Sequence, residues 1–191
     1  MVKNVIKKIL PESAVDVLRH THDSIVRIPD DIRAMTHPIR RDSIRRLRRF
    51  KNQYEGKRCF IIGNGPSLKN TDITKLENEF TFGMNRIFLM FPELGFMTTF
   101  FVSVNDLVIE QSANEIQDLD MPRFVSWRSK EWLTPEENLF FLYTTYTGPK
   151  FAKSAACRLW EGATVTYTSL QLAYFMGVSK VILIGVDHNF K

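Results

Sequence analysis

The chain has 191 residues, 44% of them hydrophobic and 25% charged, with a formal net charge of +5. That composition describes an ordinary soluble globular protein, long enough for one α/β domain with a sizeable core plus an appendage. No apolar window reaches the ~18 residues of a spanning helix, and the stretch before Pro11 is too short for a secretory signal. The two distant cysteines, Cys59 and Cys157, exclude a disulfide framework and suit a cytoplasmic setting.

The charge is unevenly placed. Residues 1–51 hold 13 Lys and Arg against 6 Asp and Glu, whereas the remainder holds 13 against 15. The basic character therefore belongs to an N-terminal segment, and the near-neutral remainder lacks the built-in basic face that a nucleic-acid partner would want. Residues 1–55 read as a basic helical extension of two or three helices. Val5, Ile6, Ile9 and Leu10 share one helical face, and Val15, Leu18, Ile25 and Ile28 loosely continue one. In the run Arg40–Phe50, Ile44, Leu47 and Phe50 lie on one side among arginines. The first reading is a solvated helix packed by a narrow apolar stripe. The second is peripheral contact with an anionic membrane surface, at the inner face of the membrane, or with a polyanionic substrate. A nucleic-acid arm is the third.

From residue 56 to 191 strand and helix patterns alternate. Strands are predicted at Arg58–Ile62, Phe80–Met84, Thr98–Val104, Arg123–Trp127, Leu139–Tyr143 and Lys180–Ile184. Helical or irregular segments lie between them, among them Thr74–Asn78, Leu107–Gln117 and Thr166–Met176. The expected fold is α/β and Rossmann-like: a mostly parallel sheet with helices on both faces.

The first strand carries the main motif. The apolar run Cys59–Ile62 breaks into Gly63-Asn64-Gly65-Pro66-Ser67 and then into a helix-like pattern. A buried strand handing over to a tight loop and a helix N-terminus leaves N–H groups that collect phosphate. Gly63 and Gly65 are expected to allow positive φ and a close ligand. Pro66 and Ser67 suit the loop and the first helical positions. Leu68 stands where the dinucleotide fingerprint has its third glycine, and no Gly-Lys-Ser/Thr ending marks a P-loop.

Later strands also exit into small polar or acidic residues: Asn85 with Arg86, Asn105 with Asp106, and Asp187 with His188. In an open parallel sheet these exits share one rim, where ligands bind. Asn offers donors and an acceptor that match ribose hydroxyls and base edges. The alternatives are that Asn64 and Asn85 bond turns, Asp106 caps the helix starting near Leu107, and His188 faces solvent. A second stretch, Gly162-Ala-Thr-Val-Thr-Tyr-Thr-Ser-Leu170, places Thr164, Thr166 or Thr168 as the cap of a helix aimed at the same rim, stopped by Gly177.

Gly63-Asn-Gly-Pro-Ser-Leu-Lys69 with Asp72, Asn85, Asn105 and the unit from Gly177 to Asp187 ending Ile-Gly-Val-Asp resembles the MptE-like superfamily. That group includes 6-hydroxymethylpterin diphosphokinase-like proteins and the Maf motility-associated glycosyltransferases. It is similar to the sialyltransferases of glycosyltransferase family 42. The resemblance covers residues 56–190. It implies a modified Rossmann fold in which Asn64, Gly65, Ser67, Asn85 and Asn105 contact the nucleotide or donor sugar. Thr164 to Thr166 would approach the donor phosphate, with Val165 standing where the sialyltransferases have a hydroxyl donor.

The implied activity is transfer of a sugar, of the sialyl or nonulosonic-acid type, from a CMP-type nucleotide-sugar donor to a glycan or other hydroxyl acceptor. No base is assigned: the family's histidine follows the segment matching Asp187, His188 does not occupy that place, and the chain is expected to be truncated at the C-terminus. One alternative is an ATP-dependent diphosphokinase acting on a pterin alcohol with Mg²⁺ on Asp106 and Asp187. The other is a catalytically silent nucleotide-binding module.

Overall fold

A computed structural model describes residues 11–146 and 150–187. The expected helical face on Val5–Leu10, and His188, lie outside the described residues. The chain divides into two compact units at His37 and Pro38. In the first, α1 (Glu12–Val26) and α2 (Ile28–Thr36) are separate helices, with Pro29 in the first turn of α2. His37 ends α2 in an extended conformation (φ −65°, ψ 131°), as a residue preceding proline prefers. No helix among the described residues is long and apolar enough to cross a membrane.

The second unit starts eighteen residues before residue 56, where the alternating pattern placed its beginning. Its first helix, α3 (Pro38–Leu47), belongs to the α/β body because its arginines are spent on the protein itself. Arg40 is 1% exposed and donates to the carbonyls of Ala156 (3.1 Å) and Cys157 (3.4 Å). Burial pulls its guanidinium down to about 10. Arg46 donates to the carbonyls of Glu136 (2.8 Å) and Leu139 (3.1 Å) and lies over the Phe140 ring. Ser43 accepts from the Phe141 N–H (3.2 Å). Thus α3 covers the otherwise open edge of the sheet.

Six strands form that sheet: β1 (Arg58–Ile62), β2 (Thr81–Met84), β3 (Phe100–Ser103), β4 (Arg123–Ser126), β5 (Leu139–Leu142) and β8 (Lys180–Ile184). Their order is β5-β4-β3-β2-β1-β8 and every pairing is parallel. The α/β, Rossmann-like reading of the sequence therefore holds. Two short strands, β6 (Thr144–Thr145) and β7 (Leu159–Trp160), pair separately. The expected helix over Leu107–Gln117 is two, α5 (Asp106–Gln111) and α6 (Ala113–Gln117), divided at buried Ser112. A four-residue helix, α4 (Phe91–Leu94), precedes β3, and α7 (Val165–Phe175) precedes β8.

Alternation along the strands sorts side chains to two covered faces. Cys59, Ile61, Phe82, Met84, Phe100, Val102, Phe124, Phe140 and Leu142 share one core with Leu47 and Phe50 and with Leu172, Ala173, Phe175 and Met176. Phe50 is the hub. Its ring meets Phe100 at 5.6 Å, Phe124 at 5.6 Å and Phe140 at 5.3 Å, all edge to face. Those contacts clamp three adjacent strands from one side. Phe50→Ala is expected to cost about 3–5 kcal/mol, read by urea unfolding. A loss under about 1 kcal/mol would show that this cluster does not hold the sheet.

Candidate functional site

The register of β1 against β8 brings Ile62 beside Ile184, so the two strand exits run side by side. Gly63 donates to the Ile184 carbonyl (2.8 Å) and Gly65 to the Gly185 carbonyl (2.8 Å). A Cβ on Gly63 would press on the Gly185 carbonyl oxygen. One on Gly65 would press on the Asp187 carboxylate and sit 2.7 Å from that same carbonyl. Neither glycine has positive φ; Gly65 is extended at φ −74° and ψ 157°. The expectation of positive φ at both is corrected: they are small because two backbones touch there.

The loop also differs from the expected phosphate cradle. Past Pro66 the chain makes only a 3₁₀ turn, Pro66–Asn70, so the helix N-terminus anticipated after Ser67 is absent. The Ser67 N–H donates to Asp187 Oδ2 at 2.7 Å, which puts the chain's own carboxylate where an anion was expected. Asn64 donates its amide to the Met84 carbonyl (2.8 Å), tying the β1 exit to the end of β2.

A cavity of about 210 Å³ opens instead one strand further along, lined by Asn85, Val104, Asn105, Tyr146, Glu161, Ala163, Thr164 and Val165. Three features build it. Asn85 leaves β2 with φ 53°, its N–H on the Val102 carbonyl (3.0 Å) and its Oδ1 accepting from Ser103 (3.2 Å). Asn105 ends β3 and caps α5, its Oδ1 accepting from the N–H groups of Leu107 (3.0 Å) and Val108 (3.4 Å). Thr164 caps α7 by accepting from the Thr166 N–H (3.2 Å), after a turn in which Gly162 and Ala163 both have positive φ. Only three described non-glycine residues have positive φ, and Asn85 and Ala163 are two of them. Such backbone persists only where surroundings impose it, and it concentrates at functional sites.

Behind the cavity Arg128 joins the walls. Its guanidinium donates to Asp106 Oδ2 (2.7 Å), Glu161 Oε1 (2.9 Å), Thr144 Oγ1 (3.1 Å), the Tyr146 hydroxyl (3.1 Å) and the Val104 carbonyl (3.3 Å). It also lies 4.9 Å from the Tyr146 ring centroid. Burial draws this guanidinium down, but hydrogen bonds and charge from Asp106 and Glu161 outweigh it and hold the group above its ordinary value. Burial pushes the Tyr146 hydroxyl up, against the opposing pull of Arg128. Glu161 is only 2% exposed and meets Arg128 at 2.9 Å.

The structure thus brings together Asn85, Asn105 and Thr164. Asn64, Gly63, Gly65, Pro66, Ser67 and Asp187 belong to the adjoining β1–β8 junction. Thr166 is buried behind the cap. Asp106 is not the helix cap that the sequence offered as an alternative; Asn105 is, which frees Asp106 to pair with Arg128. For Mg²⁺, Asp106 and Asp187 are held by separate partners. Among the described residues no group of three or more His, Cys, Asp or Glu is placed for a metal ion. Tyr146, Glu161, Ala163 and Arg128 were missed by sequence reasoning. The one available signal was Gly162-Ala163 preceding a helix, which marks a tight turn but not what it faces.

Two substitutions separate these roles. Gly65→Val should destabilise the protein by roughly 1–3 kcal/mol through overpacking at the β1–β8 junction, seen as a lower unfolding midpoint; an unchanged midpoint would disprove the backbone contact. Arg128→Met should cost about 2–3 kcal/mol by stranding Glu161. That is the low end for a broken buried pair, because Arg128 keeps a third of its side chain exposed. Neutral stability in that variant would show the clamp to be idle.

A family model described as "6-hydroxymethylpterin diphosphokinase MptE-like" matches residues 36–191. Among solved structures, the Maf glycosyltransferase from Magnetospirillum magneticum is similar at 17% identity and a TM-score of 0.48. That match covers 76% of this chain and 27% of the other, so this chain spans about a quarter of that protein's length. Among curated proteins no relative matches.

Proposed function

The chain belongs to the MptE-like family, and from that premise we propose that it is the nucleotide-binding part of a nucleotide-sugar-dependent glycosyltransferase, with its donor seated in the cavity between the β2 and β3 exits and the start of α7. The observation that carries this reading is the convergence of Asn85, Asn105 and Thr164 on one cavity, two of whose walls are held in left-handed backbone. Amides and hydroxyls at such a rim suit ribose, base edge and sugar. The first turn of α7, eleven residues long, offers the positive end of a helix dipole to a donor phosphate. Charge developing on a departing nucleotide phosphate would be stabilised there.

Diphosphoryl transfer to a pterin alcohol is the less favoured reading. That chemistry rests on a divalent cation held by carboxylates and phosphates. Here Asp106 is committed to Arg128 and Asp187 to the Ser67 N–H. A CMP-type donor is what the resemblance in the 63–69 segment implies.

Calorimetric titration with CMP, UMP, GMP and AMP tests the proposal. We expect CMP to bind with a Kd below about 1 mM, ahead of the purine nucleotides. Absence of binding by every nucleotide would overturn it.

A further inference from the structure

Tyr146 inverts the usual placement of a surface tyrosine. Such a residue ordinarily packs its ring on the protein and leaves the hydroxyl to water. Here the hydroxyl is held by the protein: it accepts from Arg128 Nη2 at 3.1 Å and meets the carboxylate of buried Glu161. The residue is still 59% exposed, so what it leaves to water is chiefly its ring. The Arg128 guanidinium lies over that ring, 4.9 Å from its centroid, and backs it from one side. Among the described residues that line the cavity, Tyr146 is the only aromatic one. The others offer amides, a hydroxyl, a carboxylate and small apolar groups. Two tethers at the tip and a cation behind fix the ring before any ligand arrives, so little ordering cost is left for binding. An apolar face kept in water at a cavity wall is a surface that a flat ligand covers with gain.

Resting on the nucleotide-sugar reading above, we infer that Tyr146 is the residue on which the donor's base stacks, with the pyrimidine against the ring face away from Arg128. The base is the one part of a nucleotide sugar that is planar and aromatic; the ribose, the phosphate and the sugar are not. Stacking uses the π-face that every base has and does not read its edge. Tyr146 therefore holds the base in place, and the choice between bases is left to the polar groups of the wall.

The test is titration of CMP into the wild-type chain and into Tyr146→Leu, Tyr146→Phe and Tyr146→Trp, read by calorimetry and by the proton spectrum of CMP. In wild type the cytosine H5 and H6 resonances move upfield on binding, as protons held over an aromatic face do. Tyr146→Leu abolishes that shift and weakens CMP at least about tenfold. Tyr146→Phe keeps the ring and loses both tethers; it retains the shift and most of the affinity, as does Tyr146→Trp. A loss in Tyr146→Phe as large as in Tyr146→Leu would mean that the tyrosine acts through its hydroxyl, which overturns the inference. Upfield shifts confined to the ribose protons overturn it too. The wild-type shift is read without any variant, so it decides the matter even if Tyr146→Leu folds poorly. CMP binding with the cytosine protons unmoved overturns the inference and leaves the nucleotide reading intact. No nucleotide binding at all overturns both.

Discussion

One guanidinium holds the candidate site together. Arg128 sits just past β4 and reaches the end of β3 through Val104, the start of α5 through Asp106, β6 through Thr144 and the residue after β7 through Glu161. Those contacts join residues 104–106, at the end of β3, to the β6–β7 pair, which belongs to a separate sheet. A planar fork of five donors can satisfy several of them at once, which a lysine could not. Tyr146 and Glu161 keep their places on the cavity wall because Arg128 keeps its own.

The second constraint is backbone contact. In a sheet whose order reverses next to β1, the natural crevice would lie between β1 and β8. Gly63, Gly65 and Gly185 let the two exits close on each other, and Asp187 seals the loop through the Ser67 N–H. The opening is displaced to the β2 and β3 exits. Asn64, bonded to Met84, is the link between the closed junction and the open one.

Much of the fold was legible in the sequence, because apolar runs bounded by Gly, Asn and Asp fix buried parallel strands. β1 and β8 match their expected limits, β2, β4 and β5 are one residue shorter, and β3 is two residues shorter at its start and one at its end. The boundary near residue 55 was misplaced for a physical reason: charge density in 40–49 looks solvated in sequence, yet Arg40 and Arg46 spend theirs on carbonyls at the sheet edge. At the site, strand-exit reasoning found Asn85 and Asn105 since position alone brings them to the rim. It could not find Glu161 or Arg128. Neither sits in a motif, and their meeting depends on a loop crossing more than thirty residues of chain. The glycine loop misled for the converse reason: a motif records that a backbone must be approached closely, not by what.

The central claim is that a ligand enters between Asn85, Asn105 and Thr164 and not at the glycine loop. The most direct measurement is the map of backbone amide shifts in ¹⁵N-labelled protein as CMP is added. The largest changes are expected at Asn85, Asn105, Ala163, Thr164 and Val165, with small ones at Gly63, Gly65 and Ser67. Shifts concentrated on the Gly63–Ser67 loop, with the cavity walls silent, would contradict it.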